Sequence, residues 1–249
     1  MARLPVPGAL EMTLEAGDGL LLRGILAYPD QPPTTGFPIA VLSHQYPATA
    51  DSYAPLIEDL LDLGVAALAF DQRGHGDSVT GRDGQRVIDT PVGFTPEAFG
   101  TAFMSSVRKI DFSRMDDDVL RVASWGAVQN YIDAGRMILV GSSVGGSAVT
   151  RAAPGMPGLR GLVTFGPAGE LVWGADGRQQ GRLAMERITA RTLHTSAEGD
   201  PFGAALNARA WSEGLAHARA LLVPGSAHAM AIYYAVRTEV LEFLRQIVG

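Results

Sequence analysis

MILVGSSVGGSAV, running from Met137 to Val149, decides the fold of this 249-residue chain. Ile138, Leu139 and Val140 form a continuous apolar run, as a strand covered on both faces requires. A few residues later the chain passes to Gly145, Gly146, Ser147 and Ala148, small residues suited to the start of a helix. At the joint a serine stands with a glycine two places either side, Gly141-x-Ser143-x-Gly145. A strand-to-helix turn this sharp strains its central residue and exposes that side chain, and larger neighbours would collide in it. The joint therefore presents the Ser143 hydroxyl. A plain turn or a glycine-rich phosphate loop has the same composition, and the rest of the chain decides between these readings.

Outward from this joint, short aliphatic runs alternate with helical patterns, the signature of a largely parallel sheet with crossover helices. PIAVLSH (Pro38 to His44), VAALAFD (Val65 to Asp71), MILVGS (Met137 to Ser142), LRGLVTFG (Leu159 to Gly166), ARTLHTS (Ala190 to Ser196) and ARALLVPG (Ala218 to Gly225) are the buried strands expected. LEMTLEAG and LLLRGILAYP, either side of the turn Gly17-Asp18-Gly19, alternate apolar and polar residues and read as an antiparallel pair at the sheet edge. Helices are expected over Tyr53 to Gly64, Ser113 to Ile132 and Ala231 to Val248. Asp116, Asp117 and Asp118 fall in the first turn of the second, where carboxylates favour the positive end of the helix dipole. Metal binding by that cluster is the sharper alternative, with no second ligand group spaced to support it. The stretch from Val79 to Ile110, with Pro91, Gly93 and Pro96, is the least regular and is expected to lie over a site. The irregular segment after Gly166 is too short for a separate cap. The chain reads as a single α/β domain, 1–249, built on a mostly parallel central sheet of about eight strands with helices on both faces.

Composition narrows the function. With 47% hydrophobic and 18% charged residues the chain buries a full core. A net charge of −6 offers no phosphate-binding surface on the scale nucleic acids require. The absence of cysteine excludes disulfides, thiolate metal sites and a cysteine nucleophile, and fits a reducing compartment. The N-terminus has no uninterrupted apolar region before Glu11, and no later stretch reaches membrane-span length. A soluble, cytoplasmic protein with no membrane partner is expected.

A serine hydroxyl is a poor nucleophile unless a base takes its proton and a third group fixes the base's tautomer. Of the five histidines, His228 follows the last apolar strand and precedes the terminal helix, at the same sheet edge as Ser143. His44 ends a strand and reads as a structural residue beneath the oxyanion site. His75 reads as a loop residue, His194 lies inside a strand and His217 begins a polar turn. For the acid, Asp200 in SAEGDPFG follows the next-to-last strand, giving the chain order Ser143, Asp200, His228 expected of successive strand ends. Glu198 in the same loop and Glu170 after the preceding strand are the alternatives. Gly199 is expected to let the chain turn so that Asp200 points back toward His228.

Together these residues resemble the α/β-hydrolase fold over nearly the whole chain. FDQRGHGDS (Phe70 to Ser78) is similar to that family's D-x-R-G-x-G-x-S segment, which implies structural roles for Asp71 and Arg73. SHQYPATADSYAPL (Ser43 to Leu56) is similar to the loop that supplies one oxyanion N–H, with Gln45 where many members have glycine. The resemblance implies backbone donors on Tyr46 and on Val144. It also implies a serine hydrolase acting on a small-molecule carboxylic ester without metal or organic cofactor, similar to the small, cap-poor dienelactone-hydrolase-like and cutinase-like esterases. Amide, thioester or lactone hydrolysis, perhydrolysis, and a non-catalytic small-molecule-binding role are the alternatives the same fold allows. Trp173, Phe202 and Met230, with Tyr46, are expected to furnish apolar pocket walls.

Overall fold

The computed structural model describes residues 8–30, 35–88 and 96–248. Strands β1 (Leu10–Glu15), β2 (Leu21–Ala27), β3 (Phe37–Ser43), β4 (Ala66–Asp71), β5 (Ile132–Ser142), β6 (Leu159–Phe165), β7 (Arg191–Ala197) and β8 (Ala218–Val223) form one sheet. Its order is β1-β2-β4-β3-β5-β6-β7-β8. β2 pairs antiparallel with both β1 and β4, and all remaining pairs are parallel, so β2 alone runs against the rest. The helices are α1 (Ala54–Asp62), α2 (Pro96–Lys109), α3 (Met115–Ala127), α4 (Val144–Ala152), the single turn α5 (Glu170–Trp173), α6 (Gly177–Met185), α7 (Ala204–Ser212) and α8 (Tyr233–Val248).

The period-two alternation of strand side chains divides the core into two layers. Ile39 and Val41 of β3 and Leu139 of β5 pack with Val119 and Val122 of α3 and Val149 of α4. Their neighbours Ala40, Leu42, Ile138 and Val140 face the other way, onto Leu56 and Leu60 of α1 and Val236, Val240 and Leu244 of α8. Continuous apolar runs were needed because each of these strands is covered on both sides. Among the described residues no large cap lies over the sheet.

Three sequence expectations change. The helix expected to Ile132 ends at Ala127, and β5 begins at Ile132 rather than Met137. Its first half, Ile132 to Arg136, is largely solvent-facing and pairs with β3 only through Phe37 opposite Ile132, so it lacks the apolar run of a covered strand. The segment after Gly166 holds α5 and α6. Helix α6 buries only Gly181, Ala184 and Met185, and its otherwise polar composition, rich in arginine and glutamine, hides it in the sequence. Within the stretch Val79 to Ile110, α2 occupies Pro96 to Lys109, while Pro91 and Gly93 lie outside the described residues.

The segment after β4 braces the sheet. Arg73, almost wholly buried, donates from Nε and Nη2 to both oxygens of Asp118 at 2.6 and 2.9 Å and from Nη1 to Asp18 at 2.8 Å. Asp71 accepts the amides of Ala50 and Asp77 at 2.8 and 2.9 Å. Asp116 lies 3.3 Å from Arg151. Two members of the acidic triplet therefore have arginine partners, and among the described residues no group of three His, Asp or Glu side chains is arranged to hold a metal.

Candidate active site

Ser143 is the residue between β5 and α4, with φ 51° and ψ −120°, a left-handed conformation that a non-glycine residue adopts only under constraint. Its amide donates to Phe165 O at 3.0 Å and its carbonyl accepts from Ala168 at 3.1 Å, so the strained residue is pinned by the end of β6. The flanking glycines serve close approach. A Cβ on Gly145 would stand 2.0 Å from Ser43 O, and one on Gly141 would stand 2.3 Å from Gly145 O. Helix α4 leaves β5 so tightly, and so near the end of β3, that neither position has room for a methyl group.

His228 lies after β8 in extended backbone, φ −116° and ψ 148°. Its Nε2 is 2.7 Å from Ser143 Oγ and its Nδ1 is 2.6 Å from Asp200 Oδ2. The Asp200 carboxylate is fully buried, and its second oxygen accepts the Phe202 amide at 2.9 Å, which fixes its orientation toward the imidazole. With Nδ1–H donated to the carboxylate, Nε2 is left as the acceptor facing the serine. The loops bearing Asp200 and His228 are joined by Glu198 N to Val223 O and Gly199 N to Gly225 O, each 2.9 Å. The chain turns at Gly199 and Asp200 reaches His228, as expected of that position; a Cβ on Gly199 would press on Gly225 O at 3.0 Å, so closeness to the neighbouring loop favours glycine there. Glu198 is exposed. Among the described residues Asp200 is the only carboxylate hydrogen-bonded to His228.

Gly166, which sequence reasoning took only as a strand end, belongs to this group. It has φ +56°, and a Cβ on it would lie 3.2 Å from both Asp200 Oδ2 and His228 Nδ1 and 2.8 Å from Ala229 N. A glycine closing the apolar run of β6 was the only local signal.

On the opposite side of Ser143, Val144 opens α4, where a first-turn amide has no acceptor within its own helix. The Tyr46 peptide is positioned by the residues before it. Gln72 N–H donates to His44 Nε2 at 2.9 Å, so His44 carries its proton on Nδ1 and donates it to Gln45 O at 2.8 Å. That carbonyl shares a peptide plane with the Tyr46 N–H, and holding one orients the other. Burial lowers the His44 pKa to about 4, which keeps this tautomer neutral. Gln45, the departure from glycine, accepts the Ser142 hydroxyl at 2.6 Å and so ties this loop to the residue before Ser143. The Tyr46 ring packs edge-on against His75 at 5.0 Å and Phe103 at 4.7 Å between ring centres.

These elements enclose a cavity of about 350 Å³. It is lined by Ser143 and His228, by the apolar residues Tyr46, Phe103, Val144, Ala168, Pro201 and Phe202, and by Gly169, Glu170 and Arg178. Phe103 brings α2 over the site, as expected of that stretch. Phe202 lies 4.5 Å from the His228 ring. Trp173 and Met230 are not part of the lining. Trp173 sits behind Gly169 with Arg151 stacked on it at 5.0 Å, and Met230 packs toward the core layer under α8. A larger groove of about 650 Å³ lies against β2 and shares no residue with this cavity. It contains no nucleophile paired with a base.

The arrangement can deprotonate a serine hydroxyl and surround a developing oxyanion with backbone donors. A family model described as serine aminopeptidase, S33, matches residues 38–212. Among solved structures the chain is similar to dienelactone hydrolase from Anabaena variabilis, with a TM-score of 0.66 and 16% identity over 97% of this chain and 96% of that one. It is similar to the Pyrococcus furiosus esterase PF2001, with a TM-score of 0.66 and 16% identity over 97% and 91% of the two chains. It is also similar to Est1E from Butyrivibrio proteoclasticus, with a TM-score of 0.63 and 16% identity over 96% and 98%. No curated protein shows significant sequence similarity to it. Among the described residues no helix is long and apolar enough to cross a membrane.

Proposed function

Given that the chain belongs to the serine aminopeptidase S33 family of α/β-hydrolases, we propose that it hydrolyses carboxylic esters of small molecules through an acyl-enzyme on Ser143. The observation that carries this reading is the unbroken hydrogen-bonded series from Ser143 Oγ through His228 to Asp200, 2.7 and 2.6 Å, opening into a mostly apolar cavity. Oγ attacks the acyl carbon while Nε2 takes its proton. The carbonyl oxygen gains negative charge facing the Val144 and Tyr46 amides. Nε2 then returns the proton to the departing alkoxide. In the second half water attacks the acyl carbon, His228 again serves as base, and the carboxylic acid leaves with Ser143 regenerated. Asp200 keeps the imidazole in the tautomer this requires.

Esters are favoured over aminopeptidase substrates by the cavity's charge. An aminopeptidase must hold a free ammonium, and the carboxylate in the cavity wall, Glu170, already accepts Gly169 N–H and faces Arg178. The test is turnover of p-nitrophenyl butyrate against aminoacyl p-nitroanilides by purified protein. The expected result is ester turnover that disappears in Ser143→Ala, with an organophosphonate labelling Ser143 alone. Ester turnover undiminished in that variant would sink the mechanism. Preference for the anilides would move the substrate class to amides. Absence of any turnover, with small molecules still bound, would leave a binding protein.

A further inference from the structure

The charged end of the cavity has no part in acyl transfer. Arg178, on α6, donates from Nε to Asn207 Oδ1 at 2.7 Å. Asn207 is itself buried and anchored by Nδ2 to Pro167 O at 2.8 Å, and the Arg178 carbonyl accepts Trp211 Nε1 at 2.8 Å. The guanidinium is thus held at its Nε edge and at its own backbone, an orientation fixed before any ligand arrives. Its other nitrogens remain available. Nη2 forms an ion pair with Glu170, 3.6 Å from Oε1 and beyond hydrogen-bond reach, and the side chain is 43% exposed, so its terminal nitrogens can still meet a ligand. The same cavity is lined by the apolar side chains of Phe103, Val144, Pro201 and Phe202. A planar donor pair facing a cavity of this kind matches a carboxylate.

We propose that Arg178 recognises a carboxylate on the substrate, so that the esters taken by this site are monoanions. This rests on the Ser143 reading above and adds the substrate class to it. A monoanion is favoured over a phosphate dianion because Glu170, beside the same guanidinium, already offsets part of its charge. The whole chain carries −6 and repels anions at long range. Any preference for an anionic ester must therefore arise locally, at this arginine.

The experiment places the carboxylate on either side of the scissile bond. Mono-p-nitrophenyl glutarate is compared with p-nitrophenyl valerate, and 4-acetoxybenzoate with phenyl acetate, in wild type, Arg178→Gln and Glu170→Gln. For one of the two pairs the anionic-to-neutral ratio of kcat/KM is expected to fall tenfold to a hundredfold in Arg178→Gln, chiefly through KM, and to rise in Glu170→Gln. Asn207→Ala, which keeps the charge but frees the guanidinium, should lower the ratio by a smaller factor. A ratio unchanged by Arg178→Gln for both pairs would overturn the proposal. Calorimetry with glutarate and benzoate in the Ser143→Ala background reads the site without turnover. Binding of either acid that is lost on adding Arg178→Gln supports the assignment even if no ester is cleaved, and binding of neither refutes it. Failure of ester hydrolysis alone therefore counts against the Ser143 mechanism and leaves the arginine site to this second measurement.

Discussion

Acidification should unfold this protein more steeply than carboxylate titration alone allows, because three histidines are buried in neutral form. Burial lowers the pKa of His44 to about 4, of His75 to about 3, with His44 adding to the effect, and of His194 to about 3. Each has an ordinary value of 6.5 when the chain is unfolded. The folded values lie below the unfolded ones, so the stability these groups contribute is complete above pH 6.5 and is lost as pH falls toward the folded values. In that window the unfolded state binds three more protons than the native state, a slope of about 4 kcal/mol per pH unit. By pH 5 the loss reaches about 6 kcal/mol, a large part of the roughly 5–15 kcal/mol that holds a domain together. Asp71 and Asp118, which burial holds above the usual carboxylate range, take up protons early in the native state and flatten the curve at its acid end.

Urea melts at pH 7.5, 6.5, 5.5 and 5.0 read this slope directly. His194→Gln removes one of the three groups at a distance from Ser143, next to Thr164 and Trp211. Its baseline stability falls, but its slope should drop by a third, to about 3 kcal/mol per pH unit. Stability that is flat from pH 7.5 to 5.0, or a slope that His194→Gln leaves untouched, would refute the neutral-burial argument. Because His44 and His75 pack against the loop that carries Tyr46, the same titration should dismantle the proposed oxyanion loop, and activity lost by this route should return only with refolding.

Two further outcomes test the catalytic assignments. Asp200→Asn should fold normally and lower kcat by about 10³ to 10⁴, the scale of a base held in the wrong tautomer, with Glu198→Gln and Glu170→Gln costing far less on a neutral ester; the reverse ranking would reassign the acid. Turnover of a neutral ester should be unmoved by EDTA; loss of activity in chelator, restored by a divalent ion, would point to another mechanism.

What was legible in the sequence, and what was not, follows from the range of the interactions involved. Strands β3 to β7 announce themselves because burial on both faces forces an unbroken apolar run, and that requirement is local; β8 has such a run too, but as the sheet's edge strand it is only half-buried, against the expectation of cover on both faces. The serine turn is local as well, since Gly141 and Gly145 lie within two residues of Ser143. Asp200 and His228 were readable because parallel strands deliver their C-terminal ends to one edge, so position after a strand stands in for position in space. The loop after β3, to which the proposed oxyanion donor at Tyr46 belongs, was half readable. His44 and Tyr46 occupy expected positions, but Gln45 looked like a defect in the pattern until its partner, Ser142, 97 residues away in the chain, was in view.

The pocket walls were the least readable, because no periodicity says which of several apolar side chains near a site turns inward. Phe202 does so because it lies two residues after Asp200 in the loop that approaches His228. Trp173, three residues beyond Glu170, is turned away by the α5 turn and held under Arg151. Arg178 carried no signal at all. It sits in GRQQGRLAM, a polar helix that sequence reading passed over, and its orientation depends on Asn207, 29 residues later. The reacting groups are thus fixed by short-range turn chemistry and sheet topology. The proposed substrate-recognition group is fixed by a side-chain contact between two helices, α6 and α7, on a connection that the catalytic apparatus does not constrain. Substitutions at Arg178 or Asn207 can therefore change the substrate accepted while Ser143, Asp200 and His228 keep their geometry.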